Sequence, residues 1–146
     1  MNCQGSPKVI EYNVRMGDPE TEVVIPRIKS DLLMLLDAVG RQKLDETRIE
    51  IEERSASTVM MVSGGYPEQY EKGKIITGLE NVKDSMVFHA GTRPEVGQVV
   101  TNGGRVLAVT SLREDMKEAL ATSYDGISKI DFDKKYYRKD IGKDVL

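Results

Sequence analysis

The chain has no tryptophan, two phenylalanines, one cysteine and one histidine in 146 residues. With Cys3 alone, no internal disulfide can form, and a reducing, cytoplasmic setting is the expected default. With His89 alone, no Ser/His/Asp or Cys/His arrangement can be argued; it closes the apolar run Met86-Val87-Phe88 and reads as a packed, hydrogen-bonded residue. No apolar stretch is long enough to span a bilayer, and Met1 to Ser6 is polar with no apolar run behind it, so neither a membrane segment nor a signal peptide is expected. There is no excess of basic charge. The net charge of −3 argues against a generic nucleic-acid binder, and the basic cluster Lys134, Lys135, Arg138, Lys139 and Lys143 reads as solvated surface. Gly73-Lys74 lacks the earlier glycine of a phosphate-binding Walker loop and is followed by Ile75; a dinucleotide G-x-G-x-x-G is also missing.

What is present is enough for a folded core built from Val, Ile, Leu, Met and Tyr, since 39% of residues are hydrophobic and 31% charged. Lys8 to Arg15 alternates, with Ile10, Tyr12 and Val14 on one face and Val9, Glu11, Asn13 and Arg15 on the other, which predicts a strand with one apolar and one polar face. Asp18-Pro19-Glu20 predicts a helix capped by Asp18 and running to about Ile25. Ser30 is the expected cap of a second helix whose Leu32, Leu35, Leu36 and Val39 face a core, with Gly40 as its stop. Ile49 and Ile51 mark a possible short strand in a charged stretch, and the boundary between two units is placed near residue 54.

Beyond it, residues 57–62, 85–89, 98–101 and 105–110 read as strands separated by Gly-containing turns. Asn102-Gly103-Gly104 predicts a hairpin between the last two. Ser111 and Glu114 are spaced as a capping box for a helix with Met116, Ala119, Leu120, Ser123, Tyr124 and Ile127 on one face, and short strands at 129–132 and 136–138 should close the unit. Met60, Met61, Met86 and Met116 read as core filler. The expected fold is α+β: residues 1–54 as the end of one domain, and residues 55–146 as a β-rich domain of antiparallel strands, a partial barrel with one main helix.

Two places could carry chemistry. On a strand, Glu11 and Asn13 would present a carboxylate and an amide oxygen side by side, the hard donors that magnesium takes when phosphates and waters complete its shell. Arg15 continues that face, and Asp18 opens a helix start. Second, the loops Ser63-Gly64-Gly65-Tyr66 and Asn102-Gly103-Gly104-Arg105 could bring backbone N–H groups to a phosphate, with charge from Lys72, Lys74 and Arg105, or could simply be turns.

The run Lys8-Val-Ile-Glu-Tyr-Asn-Val-Arg-Met-Gly-Asp-Pro-Glu-Thr-Glu22 closely resembles a stretch of the glycinamide ribonucleotide synthetase (phosphoribosylamine–glycine ligase) family, and Arg15 to Glu20 looks like its signature. The likeness continues through Ile25 to Leu32. It resumes at Ser63 to Pro67, Tyr70 to Lys74, Phe88 to Thr92, Thr101 to Leu107 and Tyr137 to Gly142. The resemblance implies an ATP-grasp enzyme that joins 5-phosphoribosylamine to glycine through glycyl phosphate, splitting ATP to ADP and phosphate, in purine biosynthesis. It implies Mg2+ or Mn2+ on Glu11 and Asn13, Arg15 and Asp18 near the acyl phosphate, and contact of the second unit with phosphoribosylamine through Gly64, Gly65, Gly103, Gly104 and Arg105. It further implies that residues 1–54 end an ATP-grasp domain whose earlier part is a necessary partner, so the chain alone should be inactive. A self-sufficient phosphoribosyl-binding or lid module remains the competing reading, and a related ATP-grasp carboxylase is disfavoured by the Gly17-Asp18-Pro19-Glu20 block.

Overall fold

The computed structural model describes residues 1–144. A two-residue pair, β1 (Asn2–Cys3) with β2 (Ser6–Pro7), opens the chain. Next come a four-residue helix α1 (Thr21–Val24) running into a 3₁₀ turn over Ile25–Arg27, and a nine-residue helix α2 (Leu32–Gly40). The remaining elements are β3 (Ser55–Ser63), β4 (Ile75–Ile76), β5 (Met86–His89), β6 (Thr92–Glu95), β7 (Gln98–Thr101), β8 (Arg105–Arg113), α3 (Met116–Lys129) and β9 (Lys135–Tyr136). Besides the β1-β2 pair, the described residues form two larger antiparallel sheets and one main helix, a mixed architecture: one sheet is ordered β5-β8-β3-β9, the other β4-β7-β6.

The core follows from period-two alternation on β3, where Ser57, Val59, Met61 and Ser63 are buried. Val59 pairs with Val109 and Met61 with Leu107, so these four share the face that packs against Leu120 and Ile127 of α3. Helix α3 sits close because Gly126 has no side chain: a Cβ there would lie 3.0 Å from Val109 Cγ1 and 3.1 Å from Ser85 Oγ. Buried hydroxyls fill the same interface. Ser123 Oγ lies 2.9 Å from Ser57 Oγ and donates to Ser111 Oγ at 3.0 Å, and Ser111 meets Ser85 at 2.7 Å.

Several expectations need correction. Lys8 pairs with Met1 through its N–H and its carbonyl, but residues 9–15 form no strand; a strand requires a neighbour for its N–H and C=O groups, and among the described residues none pairs there. Asp18 does not cap α1, whose first flanking residue is Glu20. Helix α2 is capped by Asp31, which accepts from the N–H groups of Leu33 and Met34, while Ser30 Oγ accepts from Glu50 N–H. The apolar stripe of α2 is not covered as expected: Leu35 and Ala38 are buried, whereas Leu32, Leu36 and Val39 are exposed. Ile51 makes one isolated bridge with Ile28 rather than a strand.

The predicted hairpin around Asn102 to Gly104 does not form. β7 and β8 belong to different sheets, and Asn102 to Gly104 is the crossing between them. The hairpin partner of β7 is β6, through a turn at Val96 and Gly97, both with positive φ. Asp115, not Ser111, caps α3 and accepts from Glu118 N–H, because β8 continues to Arg113 beside Ser55 of β3. The closing strands reduce to a Thr77–Asp131 bridge and the short β9. Met61 is a core residue, but Met86 is exposed.

Candidate functional site

A bulge on β8 sets the site. Met61 pairs with Leu107 and Val62 with Arg105, which leaves Val106 as the extra residue. Without it, alternation would put Arg105 on the Leu107 face, against α3; the bulge turns its guanidinium to the opposite face. That face carries α1, where Thr110 Oγ1 donates to the Glu22 carbonyl at 2.9 Å and contacts Thr58 Oγ1 at 2.8 Å.

There Arg105 grips Asp18. Its Nη1 donates to the Asp18 carbonyl at 2.9 Å and its Nη2 lies 3.2 Å from Asp18 Oδ2. Both side chains are about half exposed, at 39% and 48%, so the pair contributes roughly 0–1 kcal/mol and acts chiefly through geometry. It ties the Arg15–Glu20 run to the crossing loop 87 residues later.

The two glycine loops meet at the same place. Ser63 N–H donates to the Gly104 carbonyl at 2.8 Å and Ser63 Oγ to the Gly103 carbonyl at 2.9 Å. Asn102 N–H donates to Gly91 and Gly91 N–H to Arg105, both at 2.7 Å, so two backbones cross with Gly103 against Gly91. A Cβ on Gly104 would overlap the Tyr66 ring, and one on Gly65, whose φ is +98°, would strike the Gln69 carbonyl. These glycines therefore serve close packing first. Beneath them lies a cavity of about 300 Å³ with walls from Pro19, Met60, Val62, Tyr66, Tyr137 and Ile141, and with Arg105 and Arg138 as its charged members.

Two other charges near the loops, Arg138 and Lys74, are committed. Arg138 forms a two-pronged pair with Asp140 at 2.9 and 2.8 Å, and these hydrogen bonds hold the Asp140 carboxyl below its usual range. Lys74 lies 2.6 Å from Glu71 and 3.0 Å from Asp133, and its hydrogen bonds to them raise its pKa. Lys74 is thus not the free phosphate-facing cation that the sequence suggested. His89 is exposed and pairs with Thr92 through Nδ1 at 2.9 Å. At the seam between the two regions, hydrogen bonds from the Arg54 side chain and then its N–H lower Glu52 to about 2.

Glu11, Asn13 and Arg15 are exposed, and the only hydrogen bond of these side chains among the described residues is Arg15 Nη1 to the Met16 carbonyl at 3.2 Å. Among the described residues, no three His, Cys, Asp or Glu side chains gather to hold a metal. One residue that sequence reading missed is Glu22. Its Oε2 is buried without a hydrogen-bond partner among the described residues, beside a cavity of about 350 Å³ lined by Ile25, Pro26, Met86 and Phe88. The strand residues of that cavity, Met86 and Phe88, lie more than 60 positions away, so no local signal marks it.

Comparison with known proteins matches residues 56–144 to the family model described as phosphoribosylglycinamide synthetase, C domain. A phosphoribosylamine–glycine ligase of Caldanaerobacter subterraneus is 46% identical over 97% of this chain and 34% of its own length. A trifunctional purine biosynthetic protein of Gallus gallus is 48% identical over 97% of this chain and 14% of its own. The crystal structure of the phosphoribosylamine–glycine ligase from Thermotoga maritima superposes with a TM-score of 0.72 at 35% identity, covering 96% of this chain and 34% of that one. The chain thus spans about a third of the single-activity relatives it matches.

Proposed function

Since the chain belongs to the phosphoribosylglycinamide synthetase family, we propose that it is the carboxy-terminal part of a cytoplasmic ligase joining 5-phosphoribosylamine and glycine with ATP to give glycinamide ribonucleotide, ADP and phosphate. In this reading, residues 1–54 end an ATP-grasp domain and residues 55–146 form the domain that follows. The observation that carries it is the Arg105 grip on Asp18, which fixes the signature run of the first region onto the glycine crossing of the second. Both partners lie in blocks that resemble the family.

The residue types fit a divalent ion. Glu11 and Asn13 offer hard oxygens, both exposed and without competing partners among the described residues. They supply two donors and leave the rest of the shell to ATP phosphates and water. Mg2+ or Mn2+ bound there would neutralise phosphate charge during transfer to the glycine carboxylate. Arg15, two positions after Asn13 in the chain, would meet the acyl phosphate as a cation. Asp18 shapes the same loop, held from below by Arg105, whose part is to position rather than to touch substrate.

The phosphoribosyl group would lie against the Gly64-Gly65 and Gly103-Gly104 loops. Because the Gly103 and Gly104 carbonyls are taken by Ser63, contact would come from N–H groups. Ribose 5-phosphate should then shift the amide signals of Gly64, Gly65, Gly103 and Gly104 in NMR titration; unmoved signals would remove these loops from the substrate site.

The main test replaces the matching third of the Thermotoga maritima ligase with this chain. The chimera should form ADP only when glycine and phosphoribosylamine are both present. Glu11→Gln and Asn13→Ala should each lower kcat by about a hundredfold or more. A folded chimera with no ligase activity overturns the reading, and activity that survives both substitutions removes the metal assignment. The chain by itself should show negligible ATP turnover in the same assay.

A further inference from the structure

The cavity of about 300 Å³ beneath the glycine loops has no part in the proposed ligase chemistry, yet it is built to hold something. Pro19, Met60, Val62, Tyr66, Tyr137 and Ile141 wall it with carbon on most sides, which offers water few partners. Its rings are braced from behind. Tyr66 lies on Gly104, with its ring centroid 6.1 Å from that of Tyr70. Tyr137 stands 6.1 Å from Tyr124, whose hydroxyl donates to the Arg138 carbonyl at 2.9 Å. Rings held in this way need little reordering when a ligand enters. The two cations at the cavity are already neutralised, Arg105 by Asp18 and Arg138 by Asp140. An anionic guest would have to break one of these pairs. An uncharged guest meets aromatic rings, aliphatic carbon and guanidinium groups, which stack on aromatic faces. The volume is at the small end for ligand sites and suits one or two rings rather than a whole nucleotide.

We propose that this cavity binds an uncharged, flat aromatic heterocycle, and that the bound ring stiffens the junction between the two regions. The second half follows from the origin of the walls. Pro19 belongs to the first region and follows Asp18, the residue that Arg105 grips. Met60 and Val62 lie on β3, and Tyr66 in the loop after it. A ring touching both sides adds contacts across a junction that the exposed Arg105–Asp18 pair holds only weakly. Those contacts exist only while the regions are together, so the ligand favours that arrangement.

The test titrates indole, an uncharged two-ring heterocycle, into the 146-residue chain. NMR should show saturable shifts at the Met60 methyl and at the Tyr66 and Tyr137 rings, with a Kd of about 1 mM or tighter. Indole-2-carboxylate places a negative charge on the same ring and should bind about tenfold more weakly or worse. Val62→Phe and Ile141→Phe each fill the space. Each should keep the thermal transition of the chain and lower indole affinity by about tenfold or more; if one fails to fold, the other decides. Saturating indole should slow amide exchange over residues 17–24 by about threefold or more, while exchange at residues 107–109 stays as it was. No saturable shift, undiminished binding by a folded filling variant, or carboxylate binding as tight as that of indole overturns the ligand assignment. Unchanged exchange over residues 17–24 at saturation overturns the link to the junction. None of these measurements involves turnover, so their failure leaves the ligase assignment standing, and an inactive chimera leaves the cavity and its ligand in place.

Discussion

Residues 1–54 and 55–144 use the same apolar side chains to opposite ends. Thirteen of the fifteen buried apolar residues lie in the second region, and fifteen of the twenty exposed large apolar residues lie in the first. The second region closes on itself: β3 and β8 pair along eight positions and α3 covers one face. The first has helices and caps but little to pack them against, and it is fastened to the second by the Arg105–Asp18 pair and the Thr110–Glu22 contact. Local signals thus suffice to start an element, whereas its burial depends on surfaces that the element itself does not encode.

The sharpest way to break this comparison is to truncate one apolar side chain in each region, buried in one and exposed in the other. Leu107→Ala removes a fully buried side chain and should destabilise the fold by about 2–5 kcal/mol in denaturant unfolding. Leu36→Ala, at an exposed position, should stay within about 0.5 kcal/mol. Equal losses would mean that the first region is packed after all.

A smaller effect tests the crossing loop. Gly104→Ala places a methyl group in the Tyr66 ring and should cost about 1–3 kcal/mol, whereas Gly40→Ala, with open space around its Cα, should not destabilise the chain. Smaller still is Arg105→Ala, expected to cost about 1 kcal/mol or less. Its readout is local: amide exchange over residues 17–24 should speed up while residues 59–61 remain protected.

The least effect belongs to the seam. Glu52 is lowered from an ordinary 4.5 to about 2 by Arg54. Its stabilising share is therefore complete above pH 4.5 and disappears as pH falls through 2. An NMR titration of the Glu52 side chain should give a midpoint near 2 that returns toward 4.5 in Arg54→Ala. An unmoved midpoint would show that the pair is not formed.

Much of the second region was legible in the sequence because its signals are periodic. The alternation of 57–62 and the helical spacing of Ala119, Leu120, Ser123 and Ile127 report directly which face is buried. The pairing of β7 was not legible. Asn102-Gly103-Gly104 has turn chemistry, but its conformation is set by contact with Gly91, and β6 was hidden by Pro94 and by the charges of Arg93 and Glu95. The cap of α3 was misplaced by four residues because Ser111 looks like a cap while it is held inside the sheet by Ser57 and Ser123.

Of the candidate site, the structure joins Asp18, the two glycine loops and Arg105, all visible as sequence features. Their joining depends on a one-residue bulge that leaves no mark in the pattern of Arg105 to Thr110. Glu11 and Asn13 were read as strand neighbours from alternation, which predicts a side-chain phase but cannot provide the adjacent strand.

The row of serine hydroxyls between α3 and its sheet has a bearing on how uniquely the molecule packs. An apolar helix on an apolar sheet can slip by a turn, about 5.4 Å, and still present carbon to carbon. Here such a slip would carry Ser123 away from Ser57 and Ser111 and leave hydroxyls stranded in a dry interface. The helix is therefore indexed like a key with a single notch, and the loops at its ends, including the Tyr137 and Ile141 walls of the cavity, inherit a fixed place from it.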